Sequence, residues 1–289
     1  MEERKEASYW EAADNGKVRC RLCPHRCLIA PGKRGVCGVR ENEGGTLYTL
    51  NYGRVSSLAL DPIEKKPLMR FHPGSVILSV GSYGCNLRCP FCQNSDISMA
   101  DDHCLSDKLT PAALVSQAVA LASRGNIGLA YTYNEPLVGY EFVLDCAKRT
   151  HGAGLLNVLV TNGYICPQPL GALLPYIDAM NIDLKGFTEP YYHWLGGDLE
   201  TVKETIRLAA KACHVEITTL IVPGKNDLPE TMEAEAAWLA GISRDIPLHI
   251  TRFFPRYQLT QQPPTPIATI QQLQKIAAAQ LRYVFTGNC

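Results

Sequence analysis

The sequence has little that would mark a membrane, secreted or nucleic-acid-binding protein. Lys plus Arg and Asp plus Glu are 28 each among 289 residues, so no net charge favours nucleic acid or an anionic membrane. No apolar run approaches the roughly 18 residues of a membrane span, and residues 1–15 lack the apolar core of a signal peptide. The 12 cysteines are too few for a disulfide scaffold. These absences predict a folded, cytoplasmic protein without a membrane or nucleic-acid partner.

What the sequence does contain is two tight groups of cysteines. In a reducing compartment, clustered thiols indicate metal binding or catalysis more often than disulfides. One group has the spacing C-x3-C-x2-C and consists of Cys85, Cys89 and Cys92. Three thiolates hold three irons of a [4Fe–4S] cubane and leave the fourth iron open to an exogenous chelating ligand. The spacing therefore predicts a reactive cluster rather than a purely electron-transferring one.

The other group has the spacing C-x2-C-x3-C-x9-C and consists of Cys20, Cys23, Cys27 and Cys37. Four thiolates suit a structural zinc site, which would hold together a segment that has too few apolar residues for a core. A second [4Fe–4S] cluster is the alternative, although the ferredoxin run ending in Cys-Pro is missing. We expect zinc in preference, with His25 able to replace one ligand.

Residues 17–40 carry seven Lys or Arg side chains and no acid. These cations either compensate the negative charge of four metal-bound thiolates or contact RNA, as in a zinc knuckle. Because the whole chain is neutral, charge compensation is the favoured interpretation.

From Ser75 onward, strand-like runs alternate with amphipathic, helix-like stretches. The runs are apolar nearly throughout, as expected of parallel strands buried on both faces. They are Val76–Val80, Ile127–Tyr133, Leu156–Thr161, Met180–Leu184, Val215–Val222 and Leu248–Phe254. Six such units fit the remaining length, whereas a full eight-unit barrel needs about 250 residues.

The predicted fold is therefore α/β: a partial (β/α)6 TIM-like barrel over residues 75–289. A small Cys-rich, metal-binding module over residues 1–74 precedes it, with a hairpin around Gly44-Gly45. An open doubly wound sheet is the alternative architecture.

The three-cysteine loop, with Phe91 before its last cysteine, resembles the radical S-adenosylmethionine (SAM) superfamily. The resemblance implies that the amino and carboxylate groups of SAM chelate the open iron. One electron from the cluster would then cleave SAM to a 5′-deoxyadenosyl radical that abstracts hydrogen, an oxidoreductase-type activity. It also implies that Phe91 lies against adenine and that Glu135 binds the SAM ammonium group. The full set of SAM-binding residues implied in this way is Phe91, Asn134, Glu135, Thr161, Asn162, Asp183, Lys185 and Val222.

A closer resemblance is to the radical SAM component of the AmmeMemoRadiSam system, and it covers nearly the whole chain. It rests chiefly on Cys20–Cys27, Asp61–Leu68, Cys92-Gln93-Asn94, Thr132–Pro136 and Gly287-Asn288. It implies an external one-electron donor and a protein partner or macromolecular substrate, with Memo and AMMECR-type proteins as candidates. The segment Asp61–Leu68 is expected to be either a solvated turn or a cover over the active site.

Two other functions remain open at this stage. Asp183-Leu184-Lys185 and Val222-Pro223-Gly224 are similar to elements of glycyl-radical-enzyme activases, which favours an activase as the alternative. An alternative of another class is a metal-binding module that interacts with RNA or protein and holds its cluster only structurally. The identity of the substrate does not follow from the resemblance.

Overall fold

The computed structural model describes residues 4–289. The first seven strands are β1 (Lys5–Glu6), β2 (Trp10–Ala12), β3 (Val18–Cys20), β4 (Leu28–Ile29), β5 (Arg40–Glu43), β6 (Thr46–Thr49) and β7 (Arg54–Val55). The others are β8 (Ser57–Pro62), β9 (Val76–Gly81), β10 (Asp107–Lys108), β11 (Asn126–Tyr131), β12 (Leu156–Thr161), β13 (Ala179–Asp183), β14 (His214–Ile221), β15 (Leu248–Arg252) and β16 (Val284–Gly287).

Eight α-helices run along the part of the chain that the structure describes. They are α1 (Ser95–Ser98), α2 (Pro111–Ala120), α3 (Tyr140–Gly152), α4 (Pro167–Leu173), α5 (Glu189–Leu195), α6 (Leu199–Ala209), α7 (Pro229–Ile242) and α8 (Ile267–Ala278). The start of α2 shows how local sequence sets these bounds. The Thr110 side chain accepts a hydrogen bond from the Ala113 amide, and Pro111 occupies the first helical position. None of these helices is long and apolar enough to cross a membrane.

The main sheet has eight strands in the order β8-β9-β11-β12-β13-β14-β15-β16. From β9 to β16 every neighbouring pair is parallel, and β8 is antiparallel to β9. This order follows the chain without reversal, which rules out the doubly wound alternative. The six predicted strands and the open partial barrel are thus confirmed, and β16 adds a seventh parallel strand that the sequence pattern did not reveal.

The N-terminal region forms two small antiparallel sheets, β1-β6-β5 and β2-β3-β4. The predicted hairpin is present: β5 and β6 pair across Gly44 and Gly45, which both have positive φ angles. β8 lies before residue 74 but pairs with β9 of the main sheet, so the chain enters the barrel sheet before the proposed boundary. The proposed division into residues 1–74 and 75–289 stays a prediction.

Parallel strands bring their carboxyl ends to one edge, and this places five loops together. The loop after β9 carries the three cysteines, and the loops after β11, β12, β13 and β14 carry the other polar residues that the sequence indicated. The strand order alone therefore brings these residues together at the carboxyl end of the barrel, as expected.

Candidate cluster site

The loop between β9 and α1 places Cys85, Cys89 and Cys92 at the carboxyl end of β9. Gly84, directly before the first of these cysteines, has a φ of 89°, and a Cβ atom there would lie 2.5 Å from a methyl group of Val39. Only glycine fits at this position, because both the backbone angle and the close approach exclude a side chain. Cys89 is buried, whereas Cys85 and Cys92 are half-buried.

The electrostatic environment of these thiols fits an iron–sulfur cluster. Burial raises the pKa of the Cys85 thiol far above its ordinary value, with a further contribution from Glu135. Burial likewise raises the pKa of Cys89 to about 11, and Lys185 opposes the rise. Thiols in such surroundings ionise only when a bound cation offsets the cost of burying the thiolate, and cluster iron supplies that charge.

Asn134 and Glu135 join the end of β11 to its neighbours. The Asn134 side chain accepts a hydrogen bond from the Ser82 amide (2.9 Å) and donates to the Gly84 carbonyl (3.1 Å), so it fixes the start of the cysteine loop. Glu135 is 4% exposed, and burial raises its pKa to about 7. A carboxylate with this pKa is poised to gain a cationic partner.

The Glu135 carboxylate already accepts hydrogen bonds from three groups of its own chain. Oε1 accepts from the Leu137 amide (3.0 Å) and the Thr161 hydroxyl (2.7 Å), and Oε2 accepts from the Asn162 amide (2.7 Å). Two oxygens offer about four acceptor positions, so one remains for a ligand. Glu135 therefore ties β11 to the end of β12 in addition to its expected role toward SAM.

Asn162 connects this network to the cysteine loop. Its Nδ2 lies 3.7 Å from Cys85 Sγ and 3.0 Å from Asn86 Oδ1. The amide thus donates toward Cys85 Sγ, a contact that would raise the reduction potential of a cluster held by this thiol.

The other expected residues lie around the same end of the barrel. Lys185 Nζ donates to Asp183 Oδ2 (2.8 Å), and the pair lies near enough to Cys89 to influence its pKa. Val222 is fully buried, and its amide donates to Asn226 Oδ1 (2.7 Å). Phe91 is 5% exposed and packs against Tyr191 and Trp194. The contacts of all these residues with SAM stay predictions.

The four N-terminal cysteines line one cavity, as their spacing indicated. His25 also borders it, but the His25 Nε2 atom lies 2.7 Å from the Asn86 carbonyl oxygen. Because Nε2 is engaged in this hydrogen bond, the histidine links the N-terminal region to the cysteine loop of the barrel.

Sequence reasoning missed Asn86, which lies between the two cysteine groups. Its side chain donates to the Tyr164 carbonyl (2.7 Å) and hydrogen-bonds to the Cys23 thiol, and its backbone contacts His25. Its place directly after the first cluster cysteine was the one available signal.

The segment Asp61–Leu68 is not a solvated turn, because the Lys66 side chain is 3% exposed. Lys66 Nζ donates to Asp61 Oδ2 (2.8 Å), which also accepts from the Tyr133 hydroxyl (2.7 Å). The next residues bond to β13 and β14. Asn181, in the middle of β13, donates to the Pro67 carbonyl, and Glu216, in the amino-terminal half of β14, accepts from the amides of Met69 and Arg70. The segment therefore fills the end of the barrel opposite the cysteines and does not cover the active site.

Four of the seven cations in residues 17–40 form ion pairs. Arg19 and Arg21 pair with Glu11, Arg34 pairs with Glu41 and Asp102, and Arg40 pairs with Glu141. These ion pairs with carboxylates reduce the positive field available to RNA, and compensation of the thiolate charge stays a prediction.

Comparisons with known proteins agree with this geometry. The sequence model described as "Radical SAM superfamily" matches residues 79–238. An uncharacterized protein, MJ0808 of Methanocaldococcus jannaschii, is 44% identical over 289 residues, which covers 98% of this chain and 85% of that protein.

Two solved structures are similar in fold. A radical SAM methyltransferase from Sphaerobacter thermophilus has a TM-score of 0.57 and 18% identity, covering 75% of this chain and 67% of that one. Streptococcus suis SuiB bound to S-adenosylmethionine has a TM-score of 0.55 and 12% identity, covering 72% of this chain and 48% of that one. At these identities the likeness concerns the fold alone.

Proposed function

The chain belongs to the radical SAM superfamily, and from this premise we propose that it cleaves SAM reductively at a [4Fe–4S] cluster held by Cys85, Cys89 and Cys92. The observation that carries the proposal is the convergence of these three thiols with Glu135 and Asn162 at the carboxyl end of the barrel. When bound, the cluster supplies the electron that cleaves SAM, and the 5′-deoxyadenosyl group then takes hydrogen from a substrate.

The residues of this chain would hold the cluster, bind SAM and offset the negative charge of the site. The three thiolates hold three irons and leave the fourth for the amino and carboxylate groups of SAM. Glu135, with one acceptor position left, would accept a hydrogen bond from an N–H of the iron-bound SAM amino group, while Thr161 and the Asn162 amide hold the Glu135 carboxylate in place. Lys185, held by Asp183, offsets the negative charge near Cys89.

Reductive cleavage of SAM also requires an external one-electron donor. The cluster must be reduced before each cleavage, and we propose a low-potential protein donor of the iron–sulfur or flavin class. Such chemistry suits a reducing compartment such as the cytoplasm, and all twelve cysteines are free thiols.

The experiment that tests the proposal uses anaerobically reconstituted protein. We expect the wild type to yield 5′-deoxyadenosine from SAM when it is reduced, and the Cys85→Ala/Cys89→Ala/Cys92→Ala variant to yield none. The matched control is Cys104→Ala/Cys146→Ala/Cys213→Ala, which removes three thiols outside both groups and should retain activity. Full SAM cleavage by the first variant would show that the cluster is held elsewhere.

We further propose that the protein is the radical SAM component of an AmmeMemoRadiSam system and acts on a macromolecule or with a protein partner. One of the motifs that carry this resemblance lies against the candidate site, since His25 contacts Asn86. In another, Asp61 accepts a hydrogen bond from the hydroxyl of Tyr133, the residue before Asn134. Three exposed apolar side chains, Leu228, Phe254 and Tyr257, follow β14 and β15 at the cluster end. The amide of the next residue, Gln258, bonds to the Pro90 carbonyl, so this surface adjoins the cysteine loop.

A further inference from the structure

The four N-terminal cysteines line one partly enclosed cavity. Arg40 and mainly apolar side chains complete its lining. The four thiols therefore face a shared space in which one inorganic group can bind all of them.

The separations among the cysteine sulfurs indicate which inorganic group fits this cavity. Tetrahedral zinc places its thiolate sulfurs about 3.8 Å apart, from a Zn–S distance of about 2.3 Å. Within residues 4–289 the only three His, Cys, Asp or Glu ligand atoms that all lie within 4.8 Å of one another belong to Asp101, Asp102 and His103. No three of the four thiols therefore lie as close together as tetrahedral zinc requires, whereas a cubane binds each thiolate at a different iron and keeps them apart.

The barrel site provides an internal comparison. Cys85, Cys89 and Cys92 also fail to form a group within 4.8 Å, although their spacing is that of a cubane-binding loop. Neither cysteine group therefore has three thiols within 4.8 Å of one another. The barrel group belongs to the radical SAM domain, a superfamily that carries a [4Fe–4S] cluster.

Arg40 supplies an independent observation. Its side chain is 1% exposed, and it lines the cavity. Nη2 pairs with Glu141 (2.6 Å) and Nη1 lies 3.9 Å from Cys20 Sγ, but Nε has no hydrogen-bond partner. A buried donor without an acceptor is costly, and the inorganic sulfides of a cluster are acceptors that a zinc ion does not offer.

We infer that Cys20, Cys23, Cys27 and Cys37 hold a second [4Fe–4S] cluster, with Arg40 Nε donating a hydrogen bond to it, instead of the zinc that their spacing favours. The Asn86 side chain bonds to both Cys23 and Asn162, and Asn162 lies against Cys85, so the second cluster is a close neighbour of the first. The inference adds a cofactor that SAM cleavage does not itself require.

The test is a metal and sulfide count on anaerobically prepared full-length protein offered iron, sulfide and zinc together. We expect about eight irons and eight sulfides per wild-type chain, by the four-iron count of each cubane. The Cys85→Ala/Cys89→Ala/Cys92→Ala variant should keep about four of each, as should Cys20→Ser/Cys23→Ser/Cys27→Ser/Cys37→Ser. The Cys104→Ala/Cys146→Ala/Cys213→Ala control should keep about eight.

About one zinc and four irons in the wild type would overturn the inference, and so would a barrel-site variant with no iron. Because the count needs no SAM, its failure would leave the proposed SAM cleavage untouched. The wild-type count also decides the question if a variant does not fold.

Arg40→Lys, made in the barrel-site variant, tests the hydrogen bond. It keeps the charge but removes the Nε donor, so the remaining cluster should keep its iron and show a more negative midpoint potential. The control is Arg34→Lys, at an arginine paired with Glu41 and Asp102, which should leave the potential unchanged. An unchanged midpoint potential in Arg40→Lys would show that Nε does not bond to the cluster. A barrel-site variant that shows no redox transition at all would indicate zinc at the N-terminal cysteines.

Discussion

Glu135 combines two tasks that make opposite demands on its charge. Its three internal hydrogen bonds favour the carboxylate, whereas its complete burial favours the neutral acid, and burial prevails because the pKa rises to about 7. A cationic ligand at the free acceptor position would reverse that balance. The residue is therefore sensitive both to substitution and to pH.

We predict that Glu135→Gln weakens SAM binding by about tenfold to a hundredfold, because a charge-assisted hydrogen bond contributes about 1.5–3 kcal/mol. The measurement is the dissociation constant of SAM by equilibrium dialysis, with cluster absorbance recorded beside it. Glu235→Gln is the matched control: burial raises the pKa of Glu235 to about 8, so an amide replaces an already neutral acid. Equal affinity in Glu135→Gln and the wild type would exclude Glu135 from the SAM site.

The same carboxylate predicts a pH dependence of SAM binding. Only ionised Glu135 accepts a charge-assisted hydrogen bond from the SAM amino group, and its pKa of about 7 means that the ionised fraction falls as the pH drops below 7. The dissociation constant should therefore rise about tenfold between pH 8 and pH 6, since one pH unit below the pKa leaves about a tenth of the groups ionised. Glu135→Gln should show a flat profile, and an equally flat wild-type profile would contradict the assignment.

At the scale of elements, the segment between β8 and β9 acts as a plug for the amino-terminal end of the barrel. Its anchor is Glu216 on β14, which is fully buried and accepts hydrogen bonds from Met69 and Arg70 amides. His214 and His249 bond to the same carboxylate, at 2.9 and 2.6 Å. One side chain thus joins the plug, β14 and β15.

We predict that this anchor makes the fold sensitive to acid. Burial opposes ionisation, but these hydrogen bonds prevail and lower the pKa of Glu216 to about 2. A depressed pKa adds stability above the unfolded value of 4.5, and that stability is lost as the pH falls from about 4.5 to about 2. Ionised Glu216 should contribute about 3 kcal/mol to the free energy of unfolding, because its pKa is shifted by between two and three pH units.

Urea unfolding at pH 7, 4.5 and 3 measures this effect. Glu216→Gln should be less stable than the wild type at pH 7 and should lose less stability between pH 4.5 and 3. Glu64→Gln is a control on the same segment, at a carboxylate that bonds only to the Gly74 amide. Parallel pH profiles for the wild type and Glu216→Gln would contradict the predicted anchor.

At the scale of the whole molecule, the sheet does not close into a complete barrel. β8 and β16 are its two edges, and they do not pair with each other within residues 4–289. Reactive radical chemistry requires that water and stray hydrogen donors be kept out. A docked macromolecule would complete the enclosure, and the exposed apolar side chains at the cluster end give it a surface to contact.

We predict that a Memo or AMMECR-type partner increases SAM cleavage and donates hydrogen to it. The measurement is deuterium transfer from labelled partner into 5′-deoxyadenosine. Phe254→Ala/Tyr257→Ala should lose the stimulation while keeping basal cleavage, and Val119→Ala, at an exposed apolar position on α2, should keep both. Efficient transfer from a free small molecule without any partner would contradict this prediction.

Much of the fold and the core of the site could be predicted because their signals are local. The three-cysteine spacing lies within eight residues, and a strand such as Leu156–Thr161 reveals its burial by its own apolar run. β16 escaped prediction because Val284–Gly287 is short and half-exposed at a sheet edge, where burial leaves only a weak pattern.

The spacing of the cysteines indicates which residues can bind a cluster, and the apolar runs indicate that parallel strands bring their ends together. Packing between distant elements, in contrast, brings His25 to Asn86 across 61 residues and puts the segment after β8 at the end of the barrel away from the cysteines. Tertiary packing also leaves no three of the N-terminal thiols within 4.8 Å of one another, which is the observation behind the inferred second cluster. The physical reason is that spacing along a chain limits which ligands can share a metal, whereas packing between distant elements sets the separation of their atoms.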